Sequence, residues 1–553
     1  MEIRIISSLE KVLPRPELEA APLTALSAAA GERVACQVAI RSDANDRFRL
    51  VADSPLRDRI SLREVQLVPC DYPAVRSDPF KISAEPGLYP APLVPADDRP
   101  LRALWGAWMA VWVTVDLPAD AAPGTFPITF RAIPDSPATL PWPARQFPEA
   151  TATLTLEILP FALPPQTLHN INWFYVDCIA HHYRLAPWTE PLWNLLGRYF
   201  DDMAAHGNNV LYTPLWSVPL DTGVGHERPT AQLLDITERD GHYQFDFSNL
   251  DRWIALARQH GIELFEMSHI FTQWGARFTP KIIVNGTRRF GWDVAADSPE
   301  YQDFLGQLLP QLVQFLRSRN LSRKCYFHIS DEPSLAHLDS YRKASDIVKA
   351  LIDEEEFPII DAMSDLDFFR TGLMRRPVPV TVTVDQFRDE PVAQRWVYYC
   401  GNVQDNLPNR QYGVPSIRTR IIGVLLYLYR MDGFLHWGYN FWFSQFSLDW
   451  DIDPWKDTTA SRAHVGGGSF NVFPGPDGPI DTIAFESFTE GLQDLRALQL
   501  HERLLGRDAT VALIHDGLDY TLDMRHYPHD PQWLLDLRER LNRAIAAANQ
   551  RRS

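Results

Sequence analysis

The chain has 553 residues, 45% of them apolar and 22% charged, and carries a formal net charge of −17 at pH 7. That composition supports a sizeable core and excludes a mainly disordered chain. The negative charge argues against nucleic acid or an anionic membrane surface as partner. No run of about 18 apolar residues is present to span a bilayer.

The N-terminus, Met1-Glu-Ile-Arg-Ile-Ile-Ser-Ser-Leu-Glu-Lys, lacks the basic start and long apolar stretch of a signal peptide. The five cysteines (Cys36, Cys70, Cys178, Cys325 and Cys400) show neither a CxxC motif nor a Cys/His ligand spacing. Together these lead us to expect a reducing cytoplasm, with no disulfide framework and no zinc site.

Residues 1–160 are rich in proline and in short alternating stretches: Arg33-Val-Ala-Cys-Gln-Val-Ala-Ile40, Trp108-Met-Ala-Val-Trp-Val-Thr-Val115, Thr125-Phe-Pro-Ile-Thr-Phe130 and Thr153-Leu-Thr-Leu-Glu-Ile158. Short alternating strands broken by Pro, Gly and Asp turns predict a β-sandwich. Leu159-Pro-Phe-Ala-Leu-Pro-Pro165 predicts a stiff linker, because proline fixes φ and removes a backbone donor.

Beyond it, strands alternate with helices. Strands are expected at 171–177, 208–212, 262–268, 325–330, 358–361, 380–385, 396–400 and 433–437. Helical spacing marks Pro191–His206, Leu250–His260, Glu300–Arg319, Leu335–Leu351 and Ile417–Tyr429. Eight strands alternating with helices predict a (β/α)8 TIM-type barrel over 166–505. Residues 506–553 read as a helical C-terminal tail.

In such a barrel the chemistry sits at the carboxyl ends of the strands. The fourth expected strand ends in Phe327-His-Ile-Ser-Asp-Glu-Pro333, so Asp331 and Glu332 stand together just past it. Neighbouring carboxyls in unlike environments suit acid/base work. A helix N-cap followed by proline at the first helical position is the competing reading of the same residues.

Other strand ends supply Asp177, Tyr212, Trp216, His269, Trp274, Asp385, Tyr398, Tyr399, Trp437 and Tyr439. Aromatic rings stack on the apolar face of a sugar and polar groups bond its hydroxyls, so a carbohydrate is the expected substrate. A conventional retaining glycosidase needs a second carboxyl as nucleophile. The seventh strand ends Tyr398-Tyr-Cys-Gly401 and supplies none. The adjacent pair fits the substrate-assisted alternative, in which the sugar's own 2-acetamido oxygen attacks.

The blocks His328-Ile-Ser-Asp-Glu-Pro333, His269-Ile-Phe-Thr-Gln-Trp-Gly275 and Gly433-Phe-Leu-His-Trp-Gly-Tyr-Asn440, with Pro474-Gly475 and Gly478-Pro-Ile480, resemble glycoside hydrolase family 123. The last two blocks and the helix Glu486–Arg496 also resemble the associated domain of unknown function 4091. In the N-terminal part, Gly87-Leu-Tyr-Pro-Ala-Pro-Leu93 and the stretch from Trp112 to Pro123-Gly124 share the likeness. One departure is Gly466-Gly-Gly-Ser-Phe470, where the family usually has Gly-Asp-Gly.

The resemblance implies a sandwich plus a barrel and a retaining β-N-acetylgalactosaminidase that needs no cofactor. Glu332 would be the general acid/base, and Asp331 would orient and stabilise the acetamido group. His269, Trp274, Tyr399, Trp437, Tyr439, Asp177, Tyr212 and Asp385 are the expected pocket residues. Two alternatives stand beside this: a β-glycosidase of other specificity with Asp385 or Glu266 as nucleophile, and a non-catalytic carbohydrate-binding protein.

Overall fold

Alternation builds the first 160 residues. In the strand Arg33–Arg41, Val34, Cys36, Val38 and Ile40 join an apolar cluster with Val111, Val113, Val115, Leu50, Phe130 and Leu156. The residues between them, Ala35 and Ala39, face the other way, into a second cluster with Ile6, Trp108, Ala110, Trp112 and Ile483. Both faces of this strand are therefore buried, which is why it is lined with Val, Ile and Ala and carries only one uncharged polar side chain, Gln37.

The computed structural model describes residues 1–44, 46–97, 99–135, 148–401 and 406–551. The strands up to Ala162 form two five-stranded sheets. One holds Glu2–Ser7, Arg33–Arg41, Trp108–Asp116, Ile60–Cys70 and Gly87–Pro95; the other holds Ala25–Ala30, Ala150–Ala162, Gly124–Pro134, Arg47–Asp53 and Leu101–Arg102. The expected linker is shorter than the prolines suggested. The strand Ala150–Ala162 runs on to pair Ala162 with Ala30, and it accommodates Pro160 where the register shifts after Ile158.

The next region holds a six-stranded parallel sheet. Its order is Cys325–Tyr326, Leu264–Met267, Val210–Thr213, His169–Asn172, Gly433–His436 and Trp396–Tyr398. A parallel pair, Asp361–Ala362 with Pro377–Val378, lies alongside it. Bridges Phe327↔Ile359 and Val380↔Tyr398 link this pair to the two ends of the larger sheet.

Helices alternate with these strands. Pro299–Ser318 shows why: Ser298 caps it, Pro299 occupies its first turn, and Tyr301, Phe304, Leu305, Leu308, Leu312 and Leu316 form one buried face.

Two expected strands are corrected here. The first ends at Asn172, and Val176–His182 is helix. Val380–Asp385, alternating as it is, forms a tight turn with Thr383 and Val384 N–H donating to the Val380 carbonyl, then the short 3-10 helix Val384–Phe387. Two hairpins, 235–246 and 282–290, enlarge the loops after the strands at 210 and 264. No described helix is long and apolar enough to cross a membrane.

The helix Ile483–Leu505 joins the two regions. Its N-terminal half is buried on every side, from Ile483 to Leu495. Gln493 exchanges two hydrogen bonds with the Arg33 backbone, at 2.7 and 2.8 Å. Arg63 reaches from the first sheet to Asp481 at 2.5 Å and to Glu486. The final helix, Pro531–Gln550, lies against the second sheet through Asn542 to Ser27 and Arg543 to Glu157.

Candidate active site

Asp331 and Glu332 follow the strand Cys325–Tyr326, and no helix begins at Pro333; the next turn of helix starts at Leu335 behind Ser334. The capping reading of the pair therefore does not hold. Instead, backbone hydrogen bonds stitch the pair between neighbouring loops. Trp274 N–H donates to the Asp331 carbonyl and Glu332 N–H to the Ala362 carbonyl, each at 2.9 Å. Glu332 is held at φ +47°, and Trp274 and Asp221 share the left-handed region at +57° and +55°. Non-glycine residues in that region cost about 1–3 kcal/mol each and cluster at functional sites.

The two carboxyls have unlike surroundings. Glu332 lies on the exposed side, and its Oε1 accepts the Tyr398 hydroxyl at 2.6 Å. Asp331 is buried, and its Oδ1 has no hydrogen-bond partner. Burial first, then the charges of Glu332 and Asp221, push the Asp331 carboxyl well above the ordinary carboxylate range, against the opposing pull of His328.

A carboxyl raised in the folded state costs stability above its unfolded pKa of about 4, and the cost grows with pH. Asp331→Asn is accordingly expected to melt higher than wild type at neutral pH, with the gain vanishing as pH falls through about 4. A lower melting temperature for the variant at pH 7 would contradict this account of Asp331.

Beneath the pair lies a buried polar layer. His328 Nε2 bonds Glu266 and its Nδ1 lies 3.1 Å from Asp361. Trp173 Nε1 donates to Glu266 at 2.9 Å, and Tyr341 donates to Asp361 at 2.5 Å. The two carboxylates outweigh the desolvation of His328 and raise it to about 9, so it is an imidazolium at neutral pH. His269 stacks on it at 4.1 Å and is held well below the usual histidine range by burial and by that charge. His269, His328 and Asp361 offer atoms close enough for a metal. Both His328 nitrogens are already engaged by carboxylates, so the group is a hydrogen-bonded ion network more than a ligand set.

Of the expected pocket residues, Tyr212 and His269 lie in this layer, 3.1 Å apart between hydroxyl and Nδ1. Trp274 is half exposed beside Asp331. The Trp437 ring packs with Phe441 and His464, and its carbonyl accepts the Tyr175 hydroxyl.

The others point elsewhere. Tyr399 packs on Phe434 and His436, and Phe434 in turn meets Phe488 of the long helix. Tyr439 is buried against Phe174 and Phe485 and donates to Asp202 at 2.5 Å. Asp177 is clamped by Arg228 at 2.7 and 2.9 Å. Asp385 accepts the Tyr429 hydroxyl and pairs with Arg388.

Register explains the exchange of Tyr399 for Tyr398. Tyr398 pairs with Leu435, and successive strand residues point to opposite faces. Asp221 lies in a loop, where strand periodicity gives no signal. Tyr175 and Gln273 fall inside the expected strand 171–177 and the block His269–Gly275, but nothing in the sequence singles them out, because their role depends on that loop.

Against known proteins, the model of the glycoside hydrolase 123 catalytic domain matches residues 173–501. A solved family 123 glycoside hydrolase from Clostridium perfringens, described for glycolipid glycan hydrolysis, has a TM-score of 0.74 at 15% identity. That match covers 99% of this chain and 98% of that one. A family 2 glycosyl hydrolase from Bacteroides cellulosilyticus is much more distant, with a TM-score of 0.24 at 12% identity, over 79% of this chain and 46% of that one. Protein KleF of Escherichia coli is 37% identical over 82 residues, which is 14% of this chain and about half (46%) of KleF. The family match runs from Trp173, whose indole bonds Glu266 under the carboxyl pair, to the long helix that closes the region. With the paired carboxyls at the strand ends inside it, this chain belongs to glycoside hydrolase family 123 and is a glycosidase acting on a carbohydrate.

Proposed function

We propose that this protein is an exo-acting retaining glycosidase that releases terminal β-linked N-acetylgalactosamine by substrate-assisted catalysis. The observation that carries the reading is the contrast within the pair: Asp331 buried with a free carboxyl oxygen, Glu332 solvent-facing and aimed by Tyr398. The two acids considered as conventional nucleophiles are placed differently. Glu266 is fully buried, with Oε1 held by both His328 and Trp173 and Oε2 without a partner, and Asp385 is held by Tyr429 and Arg388.

In the first step Glu332 gives its proton to the glycosidic oxygen while the acetamido oxygen attacks the anomeric carbon, forming a cyclic oxazolinium and freeing the aglycone. Asp331 accepts the acetamido N–H and stabilises the positive charge. Burial and the charges of Glu332 and Asp221 disfavour its ionised form, and a positive charge developing beside it favours that form. In the second step Glu332, now a carboxylate, takes a proton from water as the water opens the oxazolinium. Two inversions leave the configuration retained.

The reading extends to the architecture. The eight parallel segments linked by strand pairs and bridges support a (β/α)8 barrel over 166–505. The paired five-stranded sheets support a β-sandwich over 1–160, with 506–553 as a helical tail.

Hydrolysis of p-nitrophenyl β-glycosides of N-acetylgalactosamine, N-acetylglucosamine and galactose tests the chemistry. Release is expected only from the N-acetylated sugars, fastest from N-acetylgalactosamine, and strongly reduced in Asp331→Asn. Release from galactose, or near wild-type turnover by Asp331→Asn, would overturn assistance.

A further inference from the structure

The loop after Val210–Thr213 brings a third carboxyl, Asp221, up to the Asp331–Glu332 pair. Glu332 repels its charge, and Asp221 adds to the pressure on Asp331. Asp221 is fixed from several elements at once. Its N–H donates to Gln273 Oε1 at 2.9 Å, from the loop after Leu264–Met267. Its Oδ2 lies 3.0 Å from the Tyr175 hydroxyl, which follows the strand His169–Asn172. That same hydroxyl lies 2.7 Å from the carbonyl oxygen of Trp437, which follows Gly433–His436. Tyr175 is fully buried, so no solvent mediates these contacts.

The protons can be counted. A phenol has one hydrogen, and a carbonyl oxygen can only accept. The shorter contact assigns the phenol hydrogen to Trp437. The contact between Tyr175 and Asp221 is then a hydrogen bond only when the carboxyl donates. Charge favours the protonated acid: desolvation, with Glu332 adding to it, lifts Asp221 to about 7, against Arg228 and against the hydrogen bond that the Tyr175 hydroxyl can give to the ionised carboxylate. Arg228 is largely spent on Asp177, which it grips through two nitrogens. The groups facing Asp221 are thus Tyr175, Arg228, Glu332 and Asp331, with the neutral amide of Gln273.

We infer that Asp221 is a positioning residue of this site, a carboxyl whose proton heads a hydrogen-bond chain through Tyr175 to Trp437 and ties three loops around the sugar pocket. The inference rests on the assignment of Asp331 and Glu332 as the catalytic pair. When Asp221 ionises, it must take the phenol hydrogen for itself. Trp437 then loses its donor, and a third negative charge faces the pair.

The test compares Asp221→Leu, Asp221→Asn and Tyr175→Phe on an aryl N-acetylgalactosaminide, with melting temperatures as the check on folding. Loss of one such hydrogen bond predicts about a tenfold fall in kcat/KM for Asp221→Leu and for Tyr175→Phe. Asp221→Asn restores most of it, because an amide N–H donates as the acid does. Infrared difference spectra of the unliganded protein, wild type minus Asp221→Asn, should show a protonated carboxyl band that fades as pH rises through about 7. Asn as damaging as Leu in variants that melt like wild type, or no protonated carboxyl band, overturns the inference. The infrared reading needs no substrate. Its absence therefore sinks the proton assignment even where the sugar specificity stands, and its presence supports the assignment even where that specificity fails.

Discussion

Glu332→Gln is expected to lower kcat/KM on an unactivated N-acetylgalactosaminide by roughly a hundredfold to ten-thousandfold, the usual contribution of a positioned general acid. The substitution keeps shape and polarity: the glutamine carbonyl can still accept the Tyr398 hydroxyl that now holds Glu332 Oε1 at 2.6 Å. What it removes is the transferable proton. A nitrophenolate leaves without much protonation, so the first step on an aryl glycoside should suffer far less than on a sugar-linked substrate. The second step still lacks its base, and a small anion such as azide, which needs no deprotonation, should rescue it and yield the β-glycosyl azide. Equal losses on both substrates, with no azide product, would remove Glu332 from the acid/base role.

His328→Gln is the substitution expected to cost most in stability, about 3–5 kcal/mol. It leaves Glu266 and Asp361 buried, at essentially zero exposure, without the cation that lies between them. The sign follows from the shift. His328 is raised from an ordinary 6.5 to about 9, so its stabilisation is complete below about pH 6.5 and is lost as pH rises through about 9. The shift alone corresponds to about 3 kcal/mol, in line with the mutational range. Urea unfolding of wild type and variant across this window should show the gap between them closing. A gap that stays constant to pH 10 would show that His328 contributes through packing and not through charge.

Much of this was legible in the sequence, and the failures have physical reasons. Strand alternation located the N-terminal sheets because a strand's side chains alternate by geometry. It did not reveal that both faces of Arg33–Arg41 are covered, since Ala35 and Ala39 look like a small, neutral outer face until the long helix packs there. Val380–Asp385 alternates as a strand would, yet the chain turns at Thr383, and only Val380 bridges to the sheet. The adjacency of Asp331 and Glu332 past a strand was readable from the residues, but the same residues fitted a helix cap, and only the absence of a helix at Pro333 separates the two. Which of Tyr398 and Tyr399 faces them was not, because that depends on the register with Leu435. Asp221 was beyond reach: its meaning comes from Tyr175, Gln273 and Trp437, which are distant in sequence.

The helix Ile483–Leu505 also bears on whether the two regions are separable. Arg63 and Arg33 of the first sheet supply two of the cations around Glu486, a buried acid in the region that carries the chemistry, beside His206 of its own region, and Trp112 shares a core with Ile483. Cutting the gene at the boundary of the hydrolase region would leave that acid with His206 but neither arginine, and bare an oily seam on each piece. The sandwich side is thus joined to the rest by a shared seam and not by a tether, and a change of side-chain size or charge on one face of that seam calls for a matching change on the other.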